Sequence, residues 1–176
     1  MQALTFWKII AVDQANFLES FVDLLNAHGI RYCVIGGQAV NAYVEPLVSL
    51  DLDLVVALEQ LDRAESLFSN SFHLKRFPHS LNISLPGSDL RVQIRTDPRY
   101  ATFVDRAVIR EILGLTMPVA CLEDVLRGKV WAAQDVTRRG SKRQKDLADI
   151  ARLLEAYPEL RQQVPEAILR QLLSEP

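Results

Sequence analysis

Two glycines and two aspartates carry the clearest chemical signal in this sequence. In VIGGQAVNAYVEPLVSLDLDLVV, Gly36-Gly37 is followed after thirteen residues by Asp51-Leu52-Asp53-Leu54. Residues two apart on a strand share a face, so Ser49, Asp51 and Asp53 are expected to point one way. Leu50, Leu52 and Leu54 then point into the core. Two carboxylates so placed repel by on the order of 3 kcal/mol at about 5 Å and an effective dielectric near 20. A divalent cation removes that repulsion, and hard oxygen ligands suit Mg²⁺, which takes one or two carboxylates together with substrate phosphates. An exposed face alternating Leu and Asp is the plainer explanation, but Asp is depleted in strands. Gly36-Gly37 ends a strand just before a helix, where backbone N–H groups can approach an anion with no Cβ in the way.

A third charge stands out by its place on a helix. Leu122, Val125, Leu126, Val130 and Ala133 form one apolar arc, and Lys129 falls near its centre. A lysine there must snorkel out or meet an anion. Two partners are open: a phosphate in a cleft, or a structural carboxylate such as Asp146 or Asp149. Trp131 lies on the opposite, polar side with Arg127 and Asp124, where packing against a neighbouring helix or subunit is expected. On the next helix, Leu147, Ile150, Ala151 and Leu154 make the apolar face. Lys142, Lys145, Asp149 and Arg152 make a polar stripe with Lys145–Asp149 and Lys142–Asp146 as i,i+4 pairs. His28, His73 and His79 have no evident partners. Cys33 reads as a small apolar filler in a buried strand. Cys121 stands at a helix entrance, with no other sign of thiol chemistry around it. The two cysteines lack metal-ligand spacing, which argues for a reducing compartment and against zinc.

The elements that must position these groups follow from periodicity and punctuation. Asp13 is an N-cap candidate for a helix to about His28, with Phe17, Phe21, Leu24 and Leu25 as its stripe and Gly29 as its stop. RYCVIGG reads as a short buried strand, Gln38–Val44 as a short helix closed before Pro46, and SLDLDLVVA as a strand. Leu58 to about Ser69 returns to helical spacing. HLKRFPH, LNISLP and LRVQIRT are strands, the last two joined by a turn at Pro86-Gly87-Ser88-Asp89. AVIREI and MPVAC fit short strands or irregular segments. Helices are expected over Leu122–Ala133, Ser141–Ala156 and Pro165–Leu173, with Arg138-Arg139-Gly140-Ser141 as a flexible joint. The fold class is α+β: a core over 1–121 and a C-terminal helical part over 122–176 that packs on it.

Composition sets the outer limits. The chain has 176 residues, of which 49% are apolar and 24% charged, the balance of a globular protein. No apolar stretch is long enough to span a bilayer. The start, MQALTFWKIIAVDQ, has no basic beginning and no cleavage site, so a cytoplasmic location is expected. The formal net charge of −2 hides an asymmetry: eight basic and three acidic residues lie between Arg127 and Arg152. Such a patch can attract a triphosphate or a nucleic-acid backbone, though a solvated helix face is the more ordinary cause.

The Gly36-Gly37 pair followed by Asp51-x-Asp53 resembles the signature of the DNA polymerase β-like nucleotidyltransferase superfamily, over about residues 15–155. The layout resembles its minimal and AbiEii/AbiGii toxin-like members. Lys129 followed by Lys145-Asp146-x-x-Asp149 is a softer C-terminal match. This resemblance implies a mixed sheet flanked by helices. It also implies transfer of a nucleoside monophosphate from an NTP to an acceptor hydroxyl, with release of pyrophosphate. Asp51 and Asp53 would hold Mg²⁺ (or Mn²⁺). Gly36, Gly37 and Ser49 would line the nucleotide site, and Lys129 and Lys145 would offset charge on the leaving group. An RNA end, a protein hydroxyl or a small molecule would be the acceptor, and an antitoxin is admitted as a partner.

Two positions depart from that pattern. Where a third carboxylate is expected on LRVQIRT, the chain has Gln93, whose amide oxygen can ligate a metal but cannot take a proton. Asp89 and Asp97 share its strand parity, but each lies roughly 13 Å away along a strand. Leu47 stands where relatives carry arginine in Pro-Arg-x-Thr. Both departures favour a rival role, a catalytically inactive member that binds a nucleotide or a partner in the same cleft.

Overall fold

The computed structural model describes Asp13 and residues 16–173. Apart from Asp13, the N-terminal segment weighed above as a leader lies outside the described residues. Asp13 does cap the first helix, α1 (Phe17–Ala27), but from a distance. Its carboxylate accepts from the backbone N–H of Phe17 at 2.9 Å and Leu18 at 3.3 Å. Gly29, at φ 60°, turns the chain out of α1 and into β1 (Tyr32–Ile35).

The strands form one mixed sheet of seven, in the order β3-β4-β5-β2-β1-β7-β6. Here β2 is Asp51–Val56, β3 His73–Phe77, β4 Ser80–Ser84, β5 Arg91–Arg95, β6 Val108–Ile112 and β7 Leu115–Val119. β2 runs parallel to β5, and β1 parallel to β7; the other neighbours are antiparallel. AVIREI and MPVAC are thus a true hairpin, turned by Leu113 and Gly114 at φ 53° and 82°. Every residue of β1 is buried, as expected of a central strand covered on both faces. Leu52, Leu54, Val92 and Ile94 are buried in the same core as the aromatic cluster of Phe17, Phe21, Phe68 and Phe72. The period-two face of SLDLDLVVA is therefore real.

The helices largely match their periodicity. α2 (Gly36–Asn41) starts on the two glycines, earlier than Gln38, and stops before Val44. Asn41 ends it by turning its amide onto the loop: it donates to the Leu47 carbonyl at 2.7 Å and accepts from Leu47 N–H at 3.0 Å. A 3₁₀ turn at Leu58–Gln60 precedes α3 (Leu61–Ser71). A longer 3₁₀ segment, Pro98–Arg106, follows β5. After the sheet come α4 (Leu122–Gln134), α5 (Gly140–Ala156), a 3₁₀ turn at Pro158–Gln163 and α6 (Glu166–Leu173).

Three expectations about the last third are corrected. Asp124 is not on a solvated face: it is 1% exposed and accepts from Arg106 and Arg127 at 2.8–2.9 Å. Beside it Trp131 stacks on Phe103, with centroids 5.7 Å apart and planes at 16°, so its partner is the 3₁₀ segment. On α5 the buried residues are Asp146, Asp149, Ile150 and Leu153, a face rotated from the expected one so that both aspartates point inward. The i,i+4 pairs with Lys142 and Lys145 are absent among the described residues, because the aspartates are taken by Lys129, Arg138 and Arg152. Nor is Arg138-Arg139-Gly140-Ser141 a loose joint. Arg138 is tied to Asp146 at 2.6 Å, and Asp135 accepts from the N–H and hydroxyl of Thr137.

Candidate functional site

The site grows from the polar face of β2. Asp51 and Asp53 are half-buried and alternate with the buried Leu52 and Leu54. In the parallel register Asp51 lies opposite Arg91 and Asp53 opposite Gln93, while Asn82 of β4 lies opposite Gln93. Paired residues share a face. Gln93 therefore stands beside Asp53 in the same cleft, with its amide donating to Ser80 Oγ at 3.1 Å. That bond uses the nitrogen and leaves Oε1 for another partner. Ser49 lies two residues before β2, which starts only at Asp51 and not at Ser49 as expected: its hydroxyl accepts from Asp51 N–H at 3.3 Å and its carbonyl from the Gln38 amide at 3.0 Å. Ser49 is thus placed as a brace at the mouth of the cleft.

Gly36 meets Asp53 directly. Its φ is 69°, and a Cβ there would collide with Oδ2 of Asp53. Only glycine satisfies both demands, so the backbone turn and the carboxylate interlock. Gly37, in contrast, has open space where a Cβ would be. Burial pushes the Asp53 carboxyl above its ordinary pKa, and Asp51 adds to that, while Arg95, Lys129 and Arg138 pull it back.

Cations surround the pair unequally. Arg91 Nε is 2.7 Å from Asp51, and Lys142 Nζ reaches the other Asp51 oxygen at 3.6 Å. Lys129 is only 7% exposed and sits 3.1 Å from Asp146 and 2.7 Å from Asp149. Burial works to lower its pKa, but the two carboxylates outweigh that and hold it above the ordinary lysine value. Lys129 still lines the recess shared by Gly36, Asp53, Gly128 and Arg138. Lys145 is exposed on α5 and is absent from that recess; the α5 lysine that reaches the aspartates is Lys142.

Leu47 is 58% exposed, and its loop is held instead by Arg152, which donates to Asn41 Oδ1 at 3.3 Å and to the Glu45 carbonyl. Cys121 has its thiol pKa raised, first by burial, so it is no activated thiolate. Sequence reasoning missed Arg91, Arg95, Arg138 and Lys142. The first two were readable in LRVQIRT, since they share the parity of Gln93; the other two depend on how α5 docks.

Two carboxylates and an amide oxygen on one face are a hard-oxygen set that fits Mg²⁺ with water and phosphate completing the shell. Among the described residues no group of three or more His, Cys, Asp or Glu forms a self-sufficient metal cage. Nor is any helix among them long and apolar enough to cross a membrane.

The profile of the family described as "Nucleotidyl transferase AbiEii toxin, Type IV TA system" matches residues 59–175. The chain belongs to the AbiEii family. That match begins beyond Gly36, Gly37, Asp51 and Asp53, so the glycine–aspartate signature is a separate observation pointing the same way. Among solved structures, this AbiEii-family chain is similar to ANT(2'')-Ia in complex with adenylyl-2''-tobramycin, at 13% identity and TM-score 0.60, over 92% of this chain and 97% of that one. It is similar to an antigenic nucleotidyltransferase-like protein from Paracoccidioides brasiliensis, at 20% identity and TM-score 0.53, over 98% and 87%. It is also similar to the lincomycin-bound lincosamide adenylyltransferase LnuA, at 11% identity and TM-score 0.50, over 81% and 99%. At these identities the likeness is one of fold. No curated protein matches in sequence. The chain is a DNA polymerase β-like, nucleotidyltransferase-like member with an α+β mixed sheet.

Proposed function

We propose that this AbiEii-family chain binds Mg²⁺–NTP at Asp51 and Asp53 and transfers the nucleoside monophosphate to an acceptor hydroxyl. The observation that carries this is the interlock of Gly36 with Asp53 beside Asp51, on a sheet face open to the cleft. A bound Mg²⁺ would supply charge neutralisation for the phosphates. Asp51 and Asp53 would hold it, and Gln93 could add its amide oxygen as a third ligand. Gly36 would lock the strand-to-helix turn against Asp53, and Gly37, open where a Cβ would be, would leave room for the phosphates against the backbone. The acceptor oxygen bonds to the α-phosphorus, and the bond from that phosphorus to the bridging oxygen of pyrophosphate breaks. The acceptor proton leaves to solvent, since Gln93 cannot take it. Catalysis then rests on positioning and electrostatics.

The non-catalytic reading draws on two features, the absence of a carboxylate at 93, where an amide bonds to Ser80, and the absence of a cation at Leu47. A toxin role acting on an RNA end or a protein follows the family's description; a small-molecule acceptor follows the antibiotic-bound neighbours. Incubation with each labelled NTP, Mg²⁺ and either total RNA, protein lysate or a small-molecule fraction separates these. A labelled product with pyrophosphate release supports transfer. NTP-dependent stabilisation without pyrophosphate would show a binder.

A further inference from the structure

Of the cations that face the cleft, one stands apart. Arg91, Gln93 and Arg95 alternate along β5 with buried Val92 and Ile94, so all three share the sheet face of Asp51 and Asp53. Arg91 is closed onto Asp51, Arg138 onto Asp146, and Lys129 onto Asp146 and Asp149. The Arg95 side chain closes no ion pair and makes no hydrogen bond among the described residues. Its guanidinium acts on Asp53 and Tyr100 only as a nearby charge. Yet it is half-buried and stands where three cavities meet. These are the recess at Gly36 and Lys129, a space of about 370 Å³ at Asp51 and Gln93, and one of about 430 Å³ at His79 and Trp131.

We propose that Arg95 is the residue that grips the phosphate chain of the nucleoside triphosphate, where the family resemblance implied Lys129 and Lys145 as the cations that offset charge on the leaving group. The proposal rests on the transferase reading of the cleft and deepens it. A partly desolvated guanidinium with no carboxylate of its own is primed for an anion, and its planar fork suits two phosphate oxygens at once. Lys129 cannot turn toward substrate without giving up its contacts to both Asp146 and Asp149, leaving these buried carboxylates to Arg138 and Arg152 alone. Lys145 is exposed and outside the recess. The Asp53 carboxylate is not bridged to Arg95, so a phosphate on Arg95 replaces no existing bond among the described residues.

The test compares wild type with Arg95→Gln, Arg95→Lys and, as a control, Arg63→Gln on the exposed face of α3. Affinity for Mg²⁺ alone and for ATP, GTP, CTP and UTP with Mg²⁺ is measured by calorimetry, alongside melting temperature and, where turnover is seen, KM and kcat. Arg95→Gln is expected to weaken NTP binding, and to raise KM, by about 10- to 100-fold. Mg²⁺ affinity and melting temperature should hold, and Arg95→Lys should recover part of the loss. Arg63→Gln should match wild type. Unchanged NTP affinity in Arg95→Gln would overturn the assignment and leave the transferase reading standing. An equal loss of affinity for Mg²⁺ alone would also overturn it, by showing that Arg95 acts through Asp53. Should Arg95→Gln not fold, Arg95→Lys decides: an NTP affinity equal to wild type rejects the bidentate grip, and a weaker one with normal Mg²⁺ affinity supports it. Failure of wild type to bind any NTP overturns the transferase reading itself.

Discussion

Two clusters of charge lie side by side in this molecule and are built on opposite principles. Between α4 and α5, Lys129, Arg138 and Arg152 meet Asp146 and Asp149 in a closed set, with contacts of 2.6–3.1 Å and both aspartates nearly inaccessible. On the sheet, among the described residues, Asp53 has no bonded cation, its pKa is driven up by burial, and Arg95 stands near it without a bonded partner. A closed set of buried charges maintains itself and resists change, because removing one member strands the others. An unmatched set is held in place by its surroundings and stays available to a ligand. Charge that the fold has already neutralised reads as architecture. Charge that it has left in excess reads as a site.

The most damaging way to probe this contrast is Lys129→Met. Methionine suits the apolar arc, but Asp146 and Asp149 would lose their buried cation, so a loss of about 3–5 kcal/mol is expected from denaturant melts. An unchanged or raised stability would place Lys129 with the open cluster instead. Asp53→Asn strikes the other set. It should cut transferase turnover by about 10²–10³-fold while the fold persists, as judged by melting and turnover side by side. An equally active variant would remove Asp53 from the site.

Gln93→Glu, tested beside Gln93→Asp, should sharpen the open cluster by restoring a proton acceptor opposite Asp53. A gain of about 10²-fold, the lower end of general-base assistance, is expected in initial rates. No gain in either variant would mean that the proton never needs a protein base. Gly36→Ala should cost about 1–2 kcal/mol for its left-handed backbone alone, and more in NTP affinity because the new methyl displaces Asp53.

The smallest effect is in pH. A carboxyl with a raised folded pKa supports stability below its unfolded pKa and loses that support as pH rises through the folded value. Metal-free wild type should therefore melt below Asp53→Asn at neutral pH, and the two curves should converge as pH falls through the raised pKa. Adding Mg²⁺ should raise the wild type and leave the variant where it was. Melts in chelator between about pH 8 and pH 4 would reveal this, and parallel curves would contradict the burial of Asp53.

Much of the fold was legible in advance because it is written in local periods. The alternation of SLDLDLVVA and LRVQIRT, the glycine ends at Gly29 and Gly36, and the helical spacing after Leu122 each name an element without reference to any other. Even the pairing of Asp51 with Asp53 on one face is a property of a strand by itself. What no local pattern contains is how one element docks on another. On the wheel of α5, Asp146 and Asp149 looked solvated, and their pairing with Lys129 stood only as one of two alternatives, because nothing in that helix records that Lys129 and Arg138 arrive from α4 and the loop between. The same limit hid Lys142 at Asp51 and left Arg95 unnoticed, since a side chain's lack of a bonded partner exists only once every neighbour is placed. Sequence determined the strand, the carboxylates and the glycine turn, through backbone geometry at short range. Tertiary structure decided which charges were cancelled and which were left over, because Coulomb energy and desolvation depend on distance and burial in space, not on separation along the chain.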